Sequence, residues 1–303
     1  MPAPIVAAFN PYTADTAPVA LAVGAAELTG STVIAVAVPP WTLVDAGVEP
    51  SELDDGVQRL VTNALQEVHH EFGVETQIVS DLSVPRGLHL IAREKQAGLI
   101  VVGSTGRSRA GRVLVGSTAE RLIQGSPCPV ALAPHGYQPA SIGTLAVGFV
   151  DSPEGHEALD AAHTLAARSH ARLRIVAVLH PSAGLDAAIA PGPRPQRSVM
   201  LEGRHRRDAQ MALDRAVAAL ALPVDIESEV HVGDPAEVLL RISEHVDLLV
   251  CGSRGYGPLR SVLLGGVSRR LVDGAACPVL VLPRKAGRPL ENLVDNAGAA
   301  AAR

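Results

Sequence analysis

A glycine-rich segment near residue 100 has the composition of a phosphate-binding loop. Gly103-Ser-Thr-Gly106 follows an apolar run, and after nine further residues comes Gly116-Ser117. Glycines allow positive φ angles and let a ligand approach backbone N–H groups closely. The segment leads into a helix predicted to start at Ser117, where free N–H groups and the helix dipole favour an anion. It therefore predicts a phosphate site at Gly103, Gly106, Gly116 and Ser117, with Arg107 adding positive charge.

A purely structural interpretation of the same residues stays open. Ser117-Thr-Ala-Glu120 has the form of a capping box, so the Ser117 hydroxyl could serve only to cap the helix. The glycines could serve only a turn, and the arginines of the segment could form a solvated face. One such loop is weak support for a phosphate site, whereas two copies with matching spacing are much stronger.

The segment occurs a second time in the chain. Gly252-Ser-Arg-Gly255 and Gly265 lie 149 positions after their counterparts, and Cys277-Pro278-Val279 follows Cys128-Pro129-Val130 by the same interval. Gly266 stands where the first copy has Ser117. A repeat this long predicts duplicated domains rather than a solenoid, whose repeats span about 20–50 residues.

The composition fits two such domains and excludes several partners. The chain has 303 residues, about twice a typical domain of roughly 150. Hydrophobic residues make up 47% and aromatic residues only 2%, so the cores must consist of Val, Leu, Ile and Ala, which suits parallel sheets covered by helices. The net charge of −5 and the absence of a long basic run argue against nucleic acid as a partner.

The sequence lacks the features of a secreted protein, a membrane protein, a metal site and two common nucleotide-binding motifs. We find no signal peptide and no apolar stretch long enough to span a bilayer, so we expect a cytoplasmic protein without a membrane partner. The three cysteines form no disulfide framework and are expected in the core. His69 and His70 are adjacent on a helix and cannot share one metal-binding face. Neither a P-loop nor a Gly-x-Gly-x-x-Gly fingerprint occurs.

The elements that must position the loops alternate between strand and helix. In the first copy we predict strands over 3–9, 32–38, 74–79, 99–102 and 129–133, and helices over 17–29, 51–72, 85–96 and 117–124. The second copy repeats this order from 144 to 282. Such alternation specifies a parallel sheet with right-handed crossovers.

The starts of the two copies are closer together than their ends. Phe9 and Phe149, which end the two first strands, lie only 140 positions apart, so the second copy carries a net insertion of nine residues. The Pro/Ala/Gly-rich stretch from Pro181 to about Pro195 is its obvious place, and we expect it to be a mobile loop outside the sheet.

These motifs together resemble those of the universal stress protein family. Gly-x2-Gly-x9-Gly-Ser is that family's phosphate-binding signature. The two Cys-Pro-Val segments and Gly233-Asp234-Pro235 match the family's typical sequence at those places. The resemblance covers nearly the whole chain. It implies two tandem α/β domains, each Rossmann-like (adenine nucleotide α-hydrolase-like), with a five-stranded parallel sheet of order 3-2-1-4-5. We place them at 1–136 and 142–285, followed by a flexible tail at 286–303, and expect the last strands, 129–133 and 278–282, to join them.

The resemblance also implies a ligand and its contacts. ATP or a related adenine nucleotide, with or without Mg²⁺, would place its phosphates on the first-copy loop described above. In the second copy the phosphates would meet Gly252, Gly255 and Gly265. Near the ribose and base, where the family often has Asp, this chain offers Asn10 and Asp151. Val38 and Val178 could pack on adenine or belong only to the core. Because the second copy lacks the Ser117 hydroxyl, we predict tighter binding by the first.

Three functions stay open on these grounds. The first is a regulatory stress-response protein that binds nucleotide without turning it over, alone or as a homodimer. The second is a slow ATP hydrolase, although no catalytic residue and no metal ligand can be placed beside the loops. The third is a scaffold that keeps the fold and binds no nucleotide. The absence of an evident general base favours the first.

Overall fold

The computed structural model describes residues 2–13, 15–39, 55–104, 117–180, 195–253 and 265–283. The first half contains β1 (Ile5–Phe9), α1 (Ala17–Thr29), β2 (Val33–Ala37), α2 (Asp55–Phe72), β3 (Glu75–Ile78), α3 (Val84–Glu94), β4 (Leu99–Gly103), α4 (Ser117–Gly125) and β5 (Val130–Ala133). The second half contains β6 (Thr144–Phe149), α5 (Pro153–Ser169), β7 (Arg172–Leu179), α6 (Pro195–Ala218), β8 (Ile226–Val232), α7 (Pro235–Ile242), β9 (Leu248–Gly252), α8 (Gly266–Val272) and β10 (Val279–Leu282).

The strands form one ten-stranded sheet of order β3-β2-β1-β4-β5-β10-β9-β6-β7-β8. Each half therefore has the predicted order 3-2-1-4-5, and pairing within each half is parallel. The tandem α/β prediction is confirmed, and most predicted element bounds agree with the structure to within two residues. Residues 181–194 and the tail lie outside the described residues, so the predictions made for them stay predictions.

The two halves join through their last strands, as predicted. β5 and β10 pair antiparallel, with Ala131 opposite Leu280. These two residues are 149 positions apart, so equivalent positions of the repeat face each other. An approximate two-fold axis between the halves requires this register.

Helices cover the sheet on both faces. One face packs against α1, α2, α5 and α6 through a continuous apolar cluster, and the other packs against α3, α4, α7 and α8 through a second cluster. The strand residues in both clusters are almost all Val, Ile, Leu and Ala, and most are fully buried. Two-sided burial explains why the central strands read as continuous apolar runs rather than alternating ones.

An ion pair on the second face also links the halves. Glu120 of α4 and Arg269 of α8 approach to 3.0 Å between Oε1 and Nε. They too are 149 positions apart. In a symmetric dimer of identical halves the same residue would face itself, and like charges repel. In this chain the two equivalent positions have opposite charge, so the contact attracts.

Candidate functional site

A cleft opens in the second half at the carboxyl ends of β6, β7 and β9, beside the start of α8. Open α/β sheets bind ligands at this end of their strands. The wall is mostly apolar and contains two of the residues predicted from sequence, Val178 and Gly252. Residues that the sequence did not single out as site residues make up the rest of the lining: Gly148, Phe149, Val150, Gly155, Val176, Pro235, Leu239, Cys251, Val267, Ser268 and Leu271.

The start of α8 presents to this cleft backbone donors that have no partner within the helix. Gly265 is the N-cap residue, and its own N–H donates to the Ser253 carbonyl at 2.8 Å. The N–H groups of Gly266, Val267 and Ser268 have no acceptor within the helix, because the first turn lacks preceding carbonyls. A Cβ added to Gly266 would meet no atom within 4 Å. Space is therefore available at Gly266 beside these donors, and donors at a helix start suit an anion.

A buried serine fixes the helix start against the sheet. The Ser268 hydroxyl donates to the Gly252 carbonyl at 2.8 Å, and Ser268 is only 3% exposed. This bond holds the first turn of α8 beside the end of β9. Ala119, which is also buried, lies 149 positions earlier, so the first half has no hydroxyl there. The sequence does not single out Ser268, since a serine two residues into a helix gives no distinctive signal.

The turn between β6 and α5 shapes the opposite wall of the cleft. Ser152 caps α5 by accepting a hydrogen bond from the Gly155 N–H at 3.1 Å. A Cβ on Gly155 would lie 1.9 Å from the Val150 carbonyl oxygen, so only glycine fits there. The tight turn places Val150, rather than Asp151, in the cleft wall.

Asp151 is engaged on the protein surface. Its carboxylate contacts the His156 ring at 2.9 Å and the Arg215 guanidinium at 3.8 Å, and its side chain is 52% exposed. Phe9 and Phe149 pair with Ala37 and Ala177 at matching places in the two halves. The residue that follows Phe149, and is therefore equivalent to Asn10, is Val150.

The first half places different polar groups near its own strand ends. The Asn10 side-chain oxygen accepts the Tyr12 N–H at 3.0 Å and so closes its own turn. Asp15 accepts the Ala17 N–H at 3.1 Å at the start of α1 and contacts the His135 ring at 3.1 Å. A Cβ on Gly103 would lie 3.7 Å from the Asp15 carboxylate. Asp15 and His135 thus lie beside Gly103, a predicted phosphate contact, and no sequence motif marks either of them.

The two valines predicted for the adenine are both buried in the same apolar cluster. Val178 lines the second-half cleft. Val38 is 7% exposed and packs against α3, where a Cβ on Gly87 would lie 2.9 Å from the Val38 Cγ1 atom. An adenine contact by Val38 stays a prediction.

Several predicted phosphate contacts cannot be located. Gly106, Arg107, Gly116 and Gly255 lie outside the described residues, as does most of each loop. Ser117 is the first residue of α4, at the position that Gly266 holds in α8. The two helices thus begin at equivalent positions, so the comparison of Ser117 with Gly266 compares the same place in two helix starts.

The cysteines are buried, as expected. Burial raises the pKa of the Cys128, Cys251 and Cys277 thiols to about 12, so all three stay protonated at neutral pH. His69 and His70 are exposed. Within the described ranges, no group of three or more His, Cys, Asp or Glu side chains could hold a metal ion. No helix in that part of the chain is long and apolar enough to cross a bilayer.

Comparison with known proteins gives the same repeat. The model of the universal stress protein family matches residues 1–134 and again 142–283. A universal stress protein of Mycolicibacterium smegmatis is 30% identical over 229 residues, which cover 74% of each chain. Another from Mycobacterium tuberculosis is 25% identical over 256 residues, covering 80% of this chain and 81% of that one.

Solved structures share the fold of the whole chain. The crystal structure of a universal stress protein from Archaeoglobus fulgidus has a TM-score of 0.65 at 18% identity and covers 94% of this chain and 99% of that one. A functionally unknown protein from Pseudomonas aeruginosa has a TM-score of 0.66 at 15% identity and covers 98% of both chains. With the family model matching both halves, the chain belongs to the universal stress protein family and carries two tandem copies of its domain.

Proposed function

We propose that this protein binds ATP or a related adenine nucleotide and acts as a regulatory stress-response protein that binds the nucleotide without turning it over. The observation that carries the proposal is the second-half cleft, where an apolar wall adjoins a helix start whose first N–H groups have no partner within the helix. The first half is expected to bind in the same way through Gly103, Gly106, Gly116 and Ser117. The site of action is expected to be the cytoplasm.

The described cleft has a volume of only about 40 Å³, so a nucleotide would extend beyond it, and the described wall would contact only part of the ligand. An adenine ring is flat and largely apolar, and the wall with Val176, Val178 and Leu239 offers a matching surface. Phosphates carry the charge, and the N–H groups of Gly266 and Val267 suit them. The carboxylate of Asp151 is held by His156 and Arg215, so a ribose contact from it requires those contacts to rearrange.

The side chains of the cleft favour binding over turnover. Phosphoryl transfer needs a metal clamp and a positioned nucleophile besides a phosphate site. Among the described lining residues, Ser268 has its hydroxyl committed to the Gly252 carbonyl, and the Cys251 thiol stays protonated. We therefore expect phosphate release well below about 1 per second, the lower end of ordinary enzyme rates.

A fold-retaining scaffold without nucleotide is the second candidate. It is favoured by the polar residues after the first strands, since Asn10 closes its own turn and Asp151 pairs with surface groups. A slow ATP hydrolase is the third, and phosphate release with Mg²⁺ separates it from the proposed function.

Calorimetric titration with ATP tests the proposal at the second-half helix start. Gly266→Asp adds a carboxylate where a Cβ has free space, and a negative charge at a helix start is favourable for the helix itself. The same charge repels phosphate, so binding at this site should be lost while the fold is kept. Gly266→Asn is the matched control without charge and should retain binding. Equal affinities for the two variants and the wild type would place the nucleotide elsewhere or rule it out.

A further inference from the structure

A second cavity lies at the joint between the two halves, on the sheet face covered by α1 and α5. Its volume is about 460 Å³, within the range of about 300–1,000 Å³ typical of ligand pockets. Strand residues Ala131 and Leu280 line it, together with residues of both helices and of the segment that connects the domains. The segment that joins the two halves in one chain therefore helps to form the cavity.

Small residues create this space. Ala131 and Leu280 occupy equivalent positions of the repeat and face each other at the joint, so one side has a large side chain and the other a small one. On α1, Gly24 and Ala25 also line the cavity, and a Cβ on Gly24 would meet no atom within 4 Å. Side chains around an empty space lose dispersion contacts, which an apolar occupant restores.

Three of the polar side chains of the wall already have hydrogen-bond partners. Thr29 donates its hydroxyl hydrogen bond to the Ala25 carbonyl at 2.8 Å, and Ser169 donates to the Leu165 carbonyl at 2.9 Å. The Asp247 carboxylate accepts the N–H groups of Gly143 and Thr144 at 2.8 and 2.9 Å. These three groups are committed to the protein, so an occupant would be held mainly by shape and by contact with the apolar lining residues.

The charges of the wall select the occupant further. Both charged residues that line the cavity, Glu27 and Asp247, are acidic and exposed at its edge. They repel an anion, so a carboxylate or sulfonate group is disfavoured. We propose that this cavity is a binding site for a small, uncharged, apolar molecule, separate from the nucleotide clefts.

A pair of fluorescent probes tests both the site and its charge preference in the full-length protein. N-phenyl-1-naphthylamine is uncharged, and 8-anilino-1-naphthalenesulfonate has the same ring system with a sulfonate. The uncharged probe should bind saturably, one per chain, and the sulfonate should bind about tenfold more weakly or worse.

Two matched glycine variants locate the binding. Gly24→Leu places a side chain in the cavity from α1 and should weaken the uncharged probe by about tenfold or more. Gly203→Leu makes the same change in α6, where a Cβ is also free of contacts, and should leave binding unchanged. Ala131→Leu fills the space from the sheet and serves as an independent second variant.

Three results would overturn the proposal. The first is no saturable binding of the uncharged probe by the wild type. The second is equal binding by wild type and by both cavity-filling variants. The third is a two-chain assembly in size-exclusion chromatography that Gly24→Leu abolishes, because a second copy would then cover the cavity.

Discussion

The hydroxyl at the helix start should decide which half binds nucleotide more tightly. Ser117 begins α4 and Gly266 begins α8, so the two halves differ by one hydroxyl at the same helix position. Gly266→Ser introduces that hydroxyl, and a Cβ there meets no atom within 4 Å, so the serine fits without rearrangement. Ser117→Gly is the reverse change in the first half.

The size of the effect follows from the charge of the ligand. A hydrogen bond to a charged group contributes about 1.5–3 kcal/mol. Since about 1.4 kcal/mol corresponds to tenfold in affinity, Gly266→Ser should tighten ATP binding by the second half roughly 10- to 100-fold. Ser117→Gly should weaken the first half by a similar factor. Calorimetry resolves the two halves when the other one is disabled by Gly106→Val or Gly255→Val.

A matched variant separates the hydroxyl from the side chain that carries it. Gly266→Ala adds the Cβ and the helix preference without the oxygen, so it should leave the affinity near that of the wild type. If alanine tightens binding as much as serine, a stiffer helix start is responsible and the hydrogen-bond reasoning is wrong. If Gly255→Val abolishes all binding and Gly106→Val none, the second half is the tighter site.

Three further predictions concern the stability of the fold: the glycine at the turn before α5, the ion pair between the halves and the buried thiols. Gly155→Ala forces a Cβ to within 1.9 Å of the Val150 carbonyl oxygen and should lower the free energy of unfolding by about 3 kcal/mol. Gly203→Ala adds a Cβ in open space and should raise the free energy of unfolding by about 0.5–1 kcal/mol. Urea unfolding measures both changes. Glu120→Arg should lower the free energy of unfolding by about 1 kcal/mol or less, because the side chain of its partner Arg269 is 61% exposed. Adding Arg269→Glu should restore the lost stability. A double variant without this recovery would refute the pairing. The three buried thiols should not react with Ellman's reagent at pH 8 until the protein unfolds. Their folded-state pKa of about 12 exceeds the unfolded value of about 8.5. The free energy of unfolding should therefore fall as the pH rises above about 8.5.

The fold was largely predictable from sequence because the chain repeats itself. The interval of 149 residues aligned two sets of strands, and apolar runs of Val, Ile and Leu marked strands buried on both faces. The junction of β5 with β10 followed from the family resemblance and from the tendency of strand edges to seek partners. Element ends were less certain, since terminal residues depend on caps such as the Ser83 hydroxyl at α3.

The candidate site was predictable only in part. Gly252 and Val178 lie in the cleft, because glycine after a strand and an apolar strand end are local signals. The role of Val150 was not predictable, since the β1–α1 and β6–α5 turns differ in length and only strand pairing shows which residues are equivalent. Ser268 and the cavity at the joint depend on contacts between distant segments, which no local pattern reveals.

The central claim is that this protein holds an adenine nucleotide through its glycine-rich helix starts. Nucleotide extraction with mass identification, applied to freshly purified protein after incubation with ATP and gel filtration, tests it most directly. We predict retained adenine nucleotide in the wild type and its loss in the Gly106→Val, Gly255→Val double variant, with an unchanged circular dichroism spectrum. A wild-type protein without nucleotide, or a folded double variant that retains as much as the wild type, would contradict the claim.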